Sequence, residues 1–187
     1  LSNAMSLNCL STQSGEAQTA VIQYYEGFID SEISKLIKEG NSLPQKNNST
    51  YVYIDDVVLN NDNIKQRLAL SGRNNYERNG NILIKPPNPH DNRFFLEPNA
   101  IYNKTGEPHR YYDAERNALE YLARRMGTAR FEPNKQCSYQ SNENIIGDIN
   151  LYSSRETCQF CAEMAWQVRT LYPNITLNWI DSQGQCY

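Results

Sequence analysis

Two short motifs in the second half of the chain carry side chains that can bind a metal or move protons. Asp113-Ala114-Glu115 holds two carboxylates separated by one residue, and Cys158-Gln159-Phe160-Cys161 is a C-x-x-C pair. At the start of a helix, the sulfurs of such a pair lie one turn apart, and the helix dipole favours their thiolate form. The same dipole favours the two carboxylates. Both motifs therefore have ionisable residue types that are favoured at the start of a helix.

Three interpretations fit the C-x-x-C pair: half of a zinc site, a redox-active dithiol, or a chance spacing. A catalytic zinc takes three protein ligands and leaves a fourth position for water. With the two helices side by side, Asp113, Cys158 and Cys161 supply three ligands, and Glu115 faces the water. This arrangement matches the zinc nucleobase deaminases. A thioredoxin-like dithiol would follow an early strand, whereas this pair comes late in the chain. The structural alternative for the D-x-E motif is simple complementarity to the helix dipole.

The elements around both motifs follow from the spacing of apolar residues. We predict a helix from Asp113 that Gly127 closes, and a strand over 145–152. A second helix is predicted over 158–172, stopped by Pro173, and a final strand over 175–180. The order helix, strand, helix, strand is typical of parallel or mixed strands with crossover helices.

The first half is less regular. An apolar stripe at the helical period predicts a helix over 16–39, with Ser14 as its N-cap and Gly40 as its stop. The region 41–112 is predicted to hold short strands in long loops, with a helical piece around 64–70. The strands are expected at the apolar islands 51–54, 57–59, 82–84 and 94–96.

Composition limits the classes of protein to which this chain can belong. The chain has 187 residues with a net charge of −3, which excludes a globally basic nucleic-acid coat protein. It has no apolar run long enough to span a membrane. Its 13 Tyr and small net charge favour a packed domain over disorder. Five Cys cannot all pair in disulfides.

One domain is expected over 13–187, with its metal-site core at 113–181. Ser2-Asn3-Ala4 before Met5 resembles the remnant of a cleaved expression tag, so 1–12 is interpreted as tag remnant and disordered lead. The residues from Met5 to Thr12 have neither the basic nor the apolar part of an ordinary secretion signal.

From Asp113 to Asp181 the chain resembles the toxin deaminases of the cytidine deaminase-like superfamily, which are C-terminal effector domains of bacterial polymorphic toxins. The segments that carry the resemblance are DAERNALEYLA (113–123), GDINLYS (147–153), ETCQFC (156–161) and YPNI (172–175). It implies an α/β fold of three layers, the cytidine deaminase-like fold, in which helices flank a mixed β-sheet.

The resemblance also implies a Zn²⁺-dependent hydrolytic deaminase that acts on a nucleobase, with cytosine favoured. Glu115 matches the acid that moves protons, and Cys158 and Cys161 match the two thiolate ligands. Asp113 stands where most of the superfamily has His, which makes the formal site charge −1 instead of 0, as in deaminases with three Cys ligands. Thr157 stands where Pro is usual. His109 remains an alternative third ligand.

As a toxin of this kind, the protein would be a secreted effector that acts in the cytoplasm of a target bacterial cell. Its partners would be a nucleic acid or nucleotide substrate and a cognate immunity protein that blocks the site in the producing cell. DNA or RNA, single or double strand, and cytosine or adenine remain open, because these preferences depend on loops without a readable code.

Candidate substrate-binding residues flank the two motifs. Tyr102, Asn103 and Tyr112 precede the helix of Glu115, where a base pocket is usually walled. Arg155, in the loop before Cys158, is placed to reach a phosphate. A basic stretch can also bind phosphates, or can simply form a solvated helix face; its members are Arg110, Arg116, Arg124, Arg125 and Arg130.

Two other functions stay open at this point. The first is a catalytically degenerate deaminase fold that serves as a binding or interaction module, closed by a fourth zinc ligand such as Cys137 or His109. The second is a secreted, disulfide-stabilised interaction domain, which the odd number of Cys disfavours. A Cys137–Cys186 pair stays open for a secreted effector, with free or buried thiols as the alternative. Cys9 has no motif.

Overall fold

Three helices and eight strands are present in the part of the chain that the structure, a computed structural model, describes. The described residues are 15–55, 57–60, 62–72, 74–76, 81–86, 112–127, 130–131, 139–157 and 159–187. The helices are α1 (Gly15–Lys38), α2 (Ala114–Met126) and α3 (Gln159–Leu171). The strands are β1 (Tyr51–Ile54), β2 (Val57–Leu59), β3 (Asn63–Ile64), β4 (Arg67–Leu70), β5 (Arg130–Phe131), β6 (Tyr139–Gln140), β7 (Gly147–Ser153) and β8 (Ile175–Asp181).

The long N-terminal helix forms where the apolar stripe predicts it. Tyr25 and Ile29, one turn apart, are fully buried, and Leu36 continues the same face. Gly40 ends the helix with φ 93° and donates its N–H to the carbonyl of Ile37 at 3.0 Å. Asn41 donates to the carbonyl of Leu36 at 3.0 Å, which completes a Schellman motif. The predicted glycine stop is confirmed.

The two later helices also match the sequence-based expectations. Gly127, with φ 64°, ends α2 and donates its N–H to the carbonyl of Ala123 at 2.7 Å. α3 ends at Leu171, two residues before Pro173, which cannot continue a helix. The strands predicted over 145–152 and 175–180 are present as β7 and β8, within about two residues of the predicted bounds.

One mixed sheet contains six of the strands. Its pairing order is β3-β2-β7-β1-β4, and β8 pairs with the other side of β7. β7 and β8 are parallel, and α3 connects them, as the predicted crossover requires. The other pairs in this sheet are antiparallel. β5 and β6 form a separate antiparallel pair.

β1 and β2 act as one long strand with an extra residue in it. Both pair with β7, with Ile54 opposite Leu151 and Val58 opposite Asp148. Four steps along one strand therefore match three along the other, which is the signature of a β-bulge. The bulge lets Ile54 and Val57 face the same side of the sheet, so both strands bury apolar side chains in one core.

Helices cover both faces of the sheet. On one face α1 packs with Tyr51, Tyr53 and Tyr152 in one apolar cluster. On the other face α2 and α3 pack with the alternate residues of the same strands, such as Val52 and Leu151. The expected α/β architecture of three layers with a mixed sheet is thus present.

Two local expectations in the first half are corrected. The helical piece expected around 64–70 is wrong, because β3 and β4 occupy this region and pair with β2 and β1. Ile64 and Leu68 have helical spacing, but the neighbouring strands satisfy their backbone groups instead. In the expected strand 82–84, Leu83 forms an isolated parallel bridge with Leu68. The expected strand 94–96 lies outside the described residues.

No helix in the described part of the chain combines the length and the apolar character needed to cross a membrane.

Candidate functional site

Three strands end at the same edge of the sheet. β4 and β7 are both antiparallel to β1, and β8 is parallel to β7, so all three run in one direction. Their last residues are Leu70, Ser153 and Asp181. Leu70 pairs with Tyr51, next to the Val52 that pairs with Ser153, and Ser153 pairs with Asp181. Ligands of α/β proteins bind outside such carboxyl edges, so this edge is the place to examine.

The start of α2 is fixed to the end of β4. The N–H of Ala114 donates to Oγ of Ser71 at 3.3 Å. The buried Asn117 donates from Nδ2 to the carbonyls of Leu70 at 2.7 Å and Gly72 at 3.3 Å. These bonds hold the first turn of α2, and with it the D-x-E motif, at the carboxyl edge.

Both carboxylates of the D-x-E motif lie at this helix start. Glu115 is in the first turn and is only 6% exposed. Asp113 is the N-cap residue, with extended backbone angles, yet its carboxylate makes no capping hydrogen bond. Helix capping, the usual role of an N-cap Asp, therefore does not explain this carboxylate. The motif places a buried acid beside a second carboxylate at the positive end of a helix.

The start of α3 is fixed to the end of β8. The N–H of the buried Thr157 donates to Oδ2 of Asp181 at 3.0 Å, and Asp181 is fully buried. Cys158 follows Thr157 directly, and Cys161 lies in the first turn of α3. The first turn of α3, which contains Cys161, therefore begins at the same edge as the D-x-E motif.

α2 and α3 contact each other on one face of the sheet. Packed helices have axes about 8–10 Å apart, so side chains from two first turns can share one metal ion. The side chains of Cys158 and Cys161 lie outside the described set, so their distances to Asp113 and Glu115 are not part of the description. Within the residues whose side chains are described, no group of three or more His, Cys, Asp and Glu can hold a metal.

The residue types at these two helix starts fit zinc. Two thiolates and one carboxylate, with a fourth position for water, form a donor set that zinc accepts. Two buried polar atoms beside the motifs, Oδ1 of Asn117 and Oγ1 of Thr157, have no hydrogen-bond partner. Such atoms are rare in folded proteins, and each one needs an explanation, such as a bound water or ion or a catalytic role.

The predicted substrate-binding residues have different settings. Tyr112 is half-buried at the base of α2, and its carbonyl accepts the N–H of Gly72 at 2.9 Å. Arg155 is exposed in the loop before Cys158, where its guanidinium donates to the carbonyl of Asn47. Tyr102 and Asn103 lie outside the described residues, as does the alternative ligand His109.

The predicted basic stretch is not a continuous surface patch. Arg116 is only 3% exposed and forms an ion pair with the buried Glu120 at 3.6 Å. Arg125 pairs with Asp62 at 2.7 Å, and hydrogen bonding to Asp62 raises the pKa of this guanidinium. Arg116 therefore lies in the protein interior, and Arg125 already has an anionic partner. The expectation that these two side chains are open to phosphate is corrected.

Sequence reasoning missed two residues that fix the starts of α2 and α3. Asp181 looks like an ordinary turn residue, because Asp-Ser-Gln-Gly follows a strand. Asn117 looks like one more polar position on a helix. Their partners are Thr157 and Leu70, which lie 24 and 47 residues away in the sequence. Local patterns contain no signal for such distant hydrogen bonds.

The cysteines without a motif do not form a described pair. Cys186 is exposed, and Cys9 and Cys137 lie outside the described residues.

Comparisons with known proteins found no matching family model, no similar curated protein and no similar solved structure.

Proposed function

We propose that this protein is a zinc-dependent hydrolytic deaminase that removes the exocyclic amine of a nucleobase, cytosine first, in nucleic acid or a nucleotide. One observation carries the proposal. The D-x-E and C-x-x-C motifs start two adjacent helices at one carboxyl edge of the sheet, and Glu115 is buried there. Neither motif is specific alone, but their common location is what a three-ligand zinc site with a nearby acid requires.

The proposed fold is the cytidine deaminase-like fold. Three features support it: the mixed sheet, the parallel β7–α3–β8 unit, and the helices on both faces. The acid-bearing α2 precedes that unit in the chain, and the thiol-bearing α3 lies within it. This order of motifs agrees with the order in the zinc deaminase signature.

Asp113, Cys158 and Cys161 would hold the zinc, which supplies an activated water for attack on C4 of cytosine. Glu115 would accept a proton at its carboxylate, donate it to the ring nitrogen, and then pass a second proton to the departing amine, so that cytosine and water would become uracil and ammonia. The burial of Glu115 keeps these transfers away from bulk solvent.

The biological part of the proposal rests on the resemblance of 113–181 to toxin deaminases. A secreted effector would act on nucleic acid or nucleotides in the cytoplasm of a target bacterium. A cognate immunity protein would protect the producing cell. The net charge of −3 predicts weak overall attraction to nucleic acid, so the substrate must be held by local contacts near the site.

The test compares wild-type protein with Glu115→Gln. Metal analysis measures bound zinc, and base composition is measured after incubation with single- and double-stranded DNA, RNA and free nucleosides. We expect about one zinc per chain in both proteins and product only with the wild type. Glu39→Gln, an exposed carboxylate just after α1, is the matched control and should keep full activity.

A wild-type protein that binds no zinc and is inactive on every substrate would contradict the proposal. A zinc-loaded wild type that is inert on all of them would contradict the enzymatic part and favour a binding module.

A further inference from the structure

We infer that Asp181 is a positioning residue for the Cys158 side of the metal site, an inference that rests on the proposed function. Asp181 is the last residue of β8 and is fully buried. Its Oδ2 accepts the N–H of Thr157 at 3.0 Å and the O–H of Tyr187 at 2.7 Å. We call these three residues the Asp181 clamp.

The two oxygens of Asp181 have different partners. Oδ1 accepts the N–H groups of Gln183 at 2.8 Å and Gln185 at 3.1 Å, which shapes the turn after β8. Oδ2 is turned the other way, toward the segment before α3. A turn alone needs only Oδ1, so the contact of Oδ2 with Thr157 is a second, separate task of this carboxylate.

Tyr187 keeps the carboxylate in place. Its ring packs on Trp179 with 5.5 Å between the ring centroids, and Trp179 is fully buried. Burial and the hydrogen bond to Asp181 raise the pKa of Tyr187. The hydroxyl also lies 3.2 Å from the carbonyl oxygen of Thr157. Both backbone polar groups of Thr157 therefore face the Asp181–Tyr187 pair.

Thr157 matters because its peptide group leads directly into Cys158. The zinc deaminase signature has Pro before the first Cys. Proline fixes φ through its ring and has no N–H. Thr157 has no such restriction, but it has an N–H, which Asp181 binds. Asp181 thus supplies by a charge-assisted hydrogen bond the rigidity that proline supplies covalently.

The consequence concerns metal affinity. Residues that orient metal ligands without touching the metal typically change its affinity by about 10- to 100-fold when they are replaced. Asp181→Asn keeps the size of the side chain and one oxygen. With that oxygen on the turn, its NH₂ group meets the N–H of Thr157, where donor faces donor. This variant should therefore release the segment before Cys158.

The experiment measures the zinc dissociation constant by competition with a chelator, with thermal unfolding as a check on folding. We expect Asp181→Asn to weaken zinc binding by about 10-fold or more. Asp55→Asn is the matched control. Asp55 is also buried and accepts the hydroxyls of Tyr25 at 3.0 Å and Tyr53 at 3.4 Å, but it faces α1 on the opposite side of the sheet. Its substitution should change zinc affinity by less than about twofold, because the described contacts of its carboxylate lie on the opposite face of the sheet.

Each outcome decides a different point. A wild type that takes up no zinc overturns the metal site and the role of Asp181 in it. Zinc binding that is equal in wild type and Asp181→Asn overturns the clamp alone. Equal weakening in Asp55→Asn means general loosening and also overturns the clamp. If Asp181→Asn does not fold, Tyr187→Phe takes its place with an expected loss of about threefold, for one charge-assisted hydrogen bond, and unchanged affinity overturns the inference.

Discussion

Charged and polar side chains are buried at adjacent positions along α2. Glu115, Arg116, Asn117 and Glu120 are all buried, although such residues are usually exposed. Arg116 and Glu120 compensate each other as an ion pair one helical turn apart. Burial and the nearby charge of Glu120 also raise the pKa of Tyr172. A helix that merely filled the core would have apolar residues at these positions, because buried ion pairs add little net stability.

The third ligand of the proposed zinc site can be identified by substitution at single residues. Asp113→Ala should lower zinc affinity by more than about 10-fold, because a direct ligand is lost. His109→Ala should leave the affinity unchanged, since only Asp113 keeps the two-residue spacing to Glu115. The measurement is zinc content after dialysis against a graded series of chelator concentrations. The reverse result, with loss only in His109→Ala, would assign the ligand to His109.

At the level of elements, the close approach of β7 to β2 depends on a glycine. A Cβ at Gly147 would lie 2.4 Å from the carbonyl oxygen of Val58 and 2.8 Å from Cδ2 of Leu59. Real Cβ contacts are longer, so a side chain at this position would push β2 away from β7. The bulged strand and the start of β7 thus depend on the missing side chain.

Substitution by alanine tests this close approach. Gly147→Ala should lower the free energy of unfolding by about 2 kcal/mol or more, because backbone atoms of β2 must shift. Gly27→Ala is the matched control in α1, where nothing lies within 4 Å of the added Cβ. It should raise the free energy of unfolding by about 0.5–1 kcal/mol through lower chain entropy. Urea unfolding measures both values, and equal stability of the two variants would contradict the close contact.

At the level of the whole molecule, buried tyrosines couple folding to alkaline pH. Burial, with a smaller contribution from Tyr76, raises the pKa of Tyr51 to about 12. Burial and the hydrogen bond to Glu26 raise the pKa of Tyr152, and burial raises that of Tyr172. An unfolded tyrosine loses its proton near pH 10, whereas these buried tyrosines keep theirs until the pH reaches their raised pKa. The stability is therefore fully present below pH 10 and falls as pH rises above it.

This coupling predicts the pH dependence of unfolding. Each of these tyrosines should remove about 1.4 kcal/mol per pH unit above pH 10, and Tyr152→Phe should reduce the slope by that amount. Phe28→Leu is the matched control, because Phe28 packs on Tyr53 at 4.5 Å in the same cluster but does not ionise. It should lower stability equally at all pH values. Urea unfolding between pH 8 and 11 measures the slopes, and an unchanged slope in Tyr152→Phe would contradict the coupling.

Much of the secondary structure could be predicted from the sequence, because it depends on nearby residues. Apolar spacing and the glycines at Gly40 and Gly127 are local signals, and they placed α1, α2 and α3 within about two residues. The same reasoning failed around 64–70, where Ile64 and Leu68 also fit a helix. Pairing with the distant β1 and β2 decided that segment, and no local pattern contains that information.

By itself, the sequence determined which residue types stand at the starts of α2 and α3, and hence the proposal of zinc chemistry. Only the tertiary structure decided that β4, β7 and β8 end at one edge, so that α2 and α3 both begin there. It also decided that Arg116 is internal and that Asp181 binds Thr157. The physical reason is range: helix periodicity and caps act within a few residues, whereas strand direction, burial and hydrogen bonds across the fold join residues far apart in the chain.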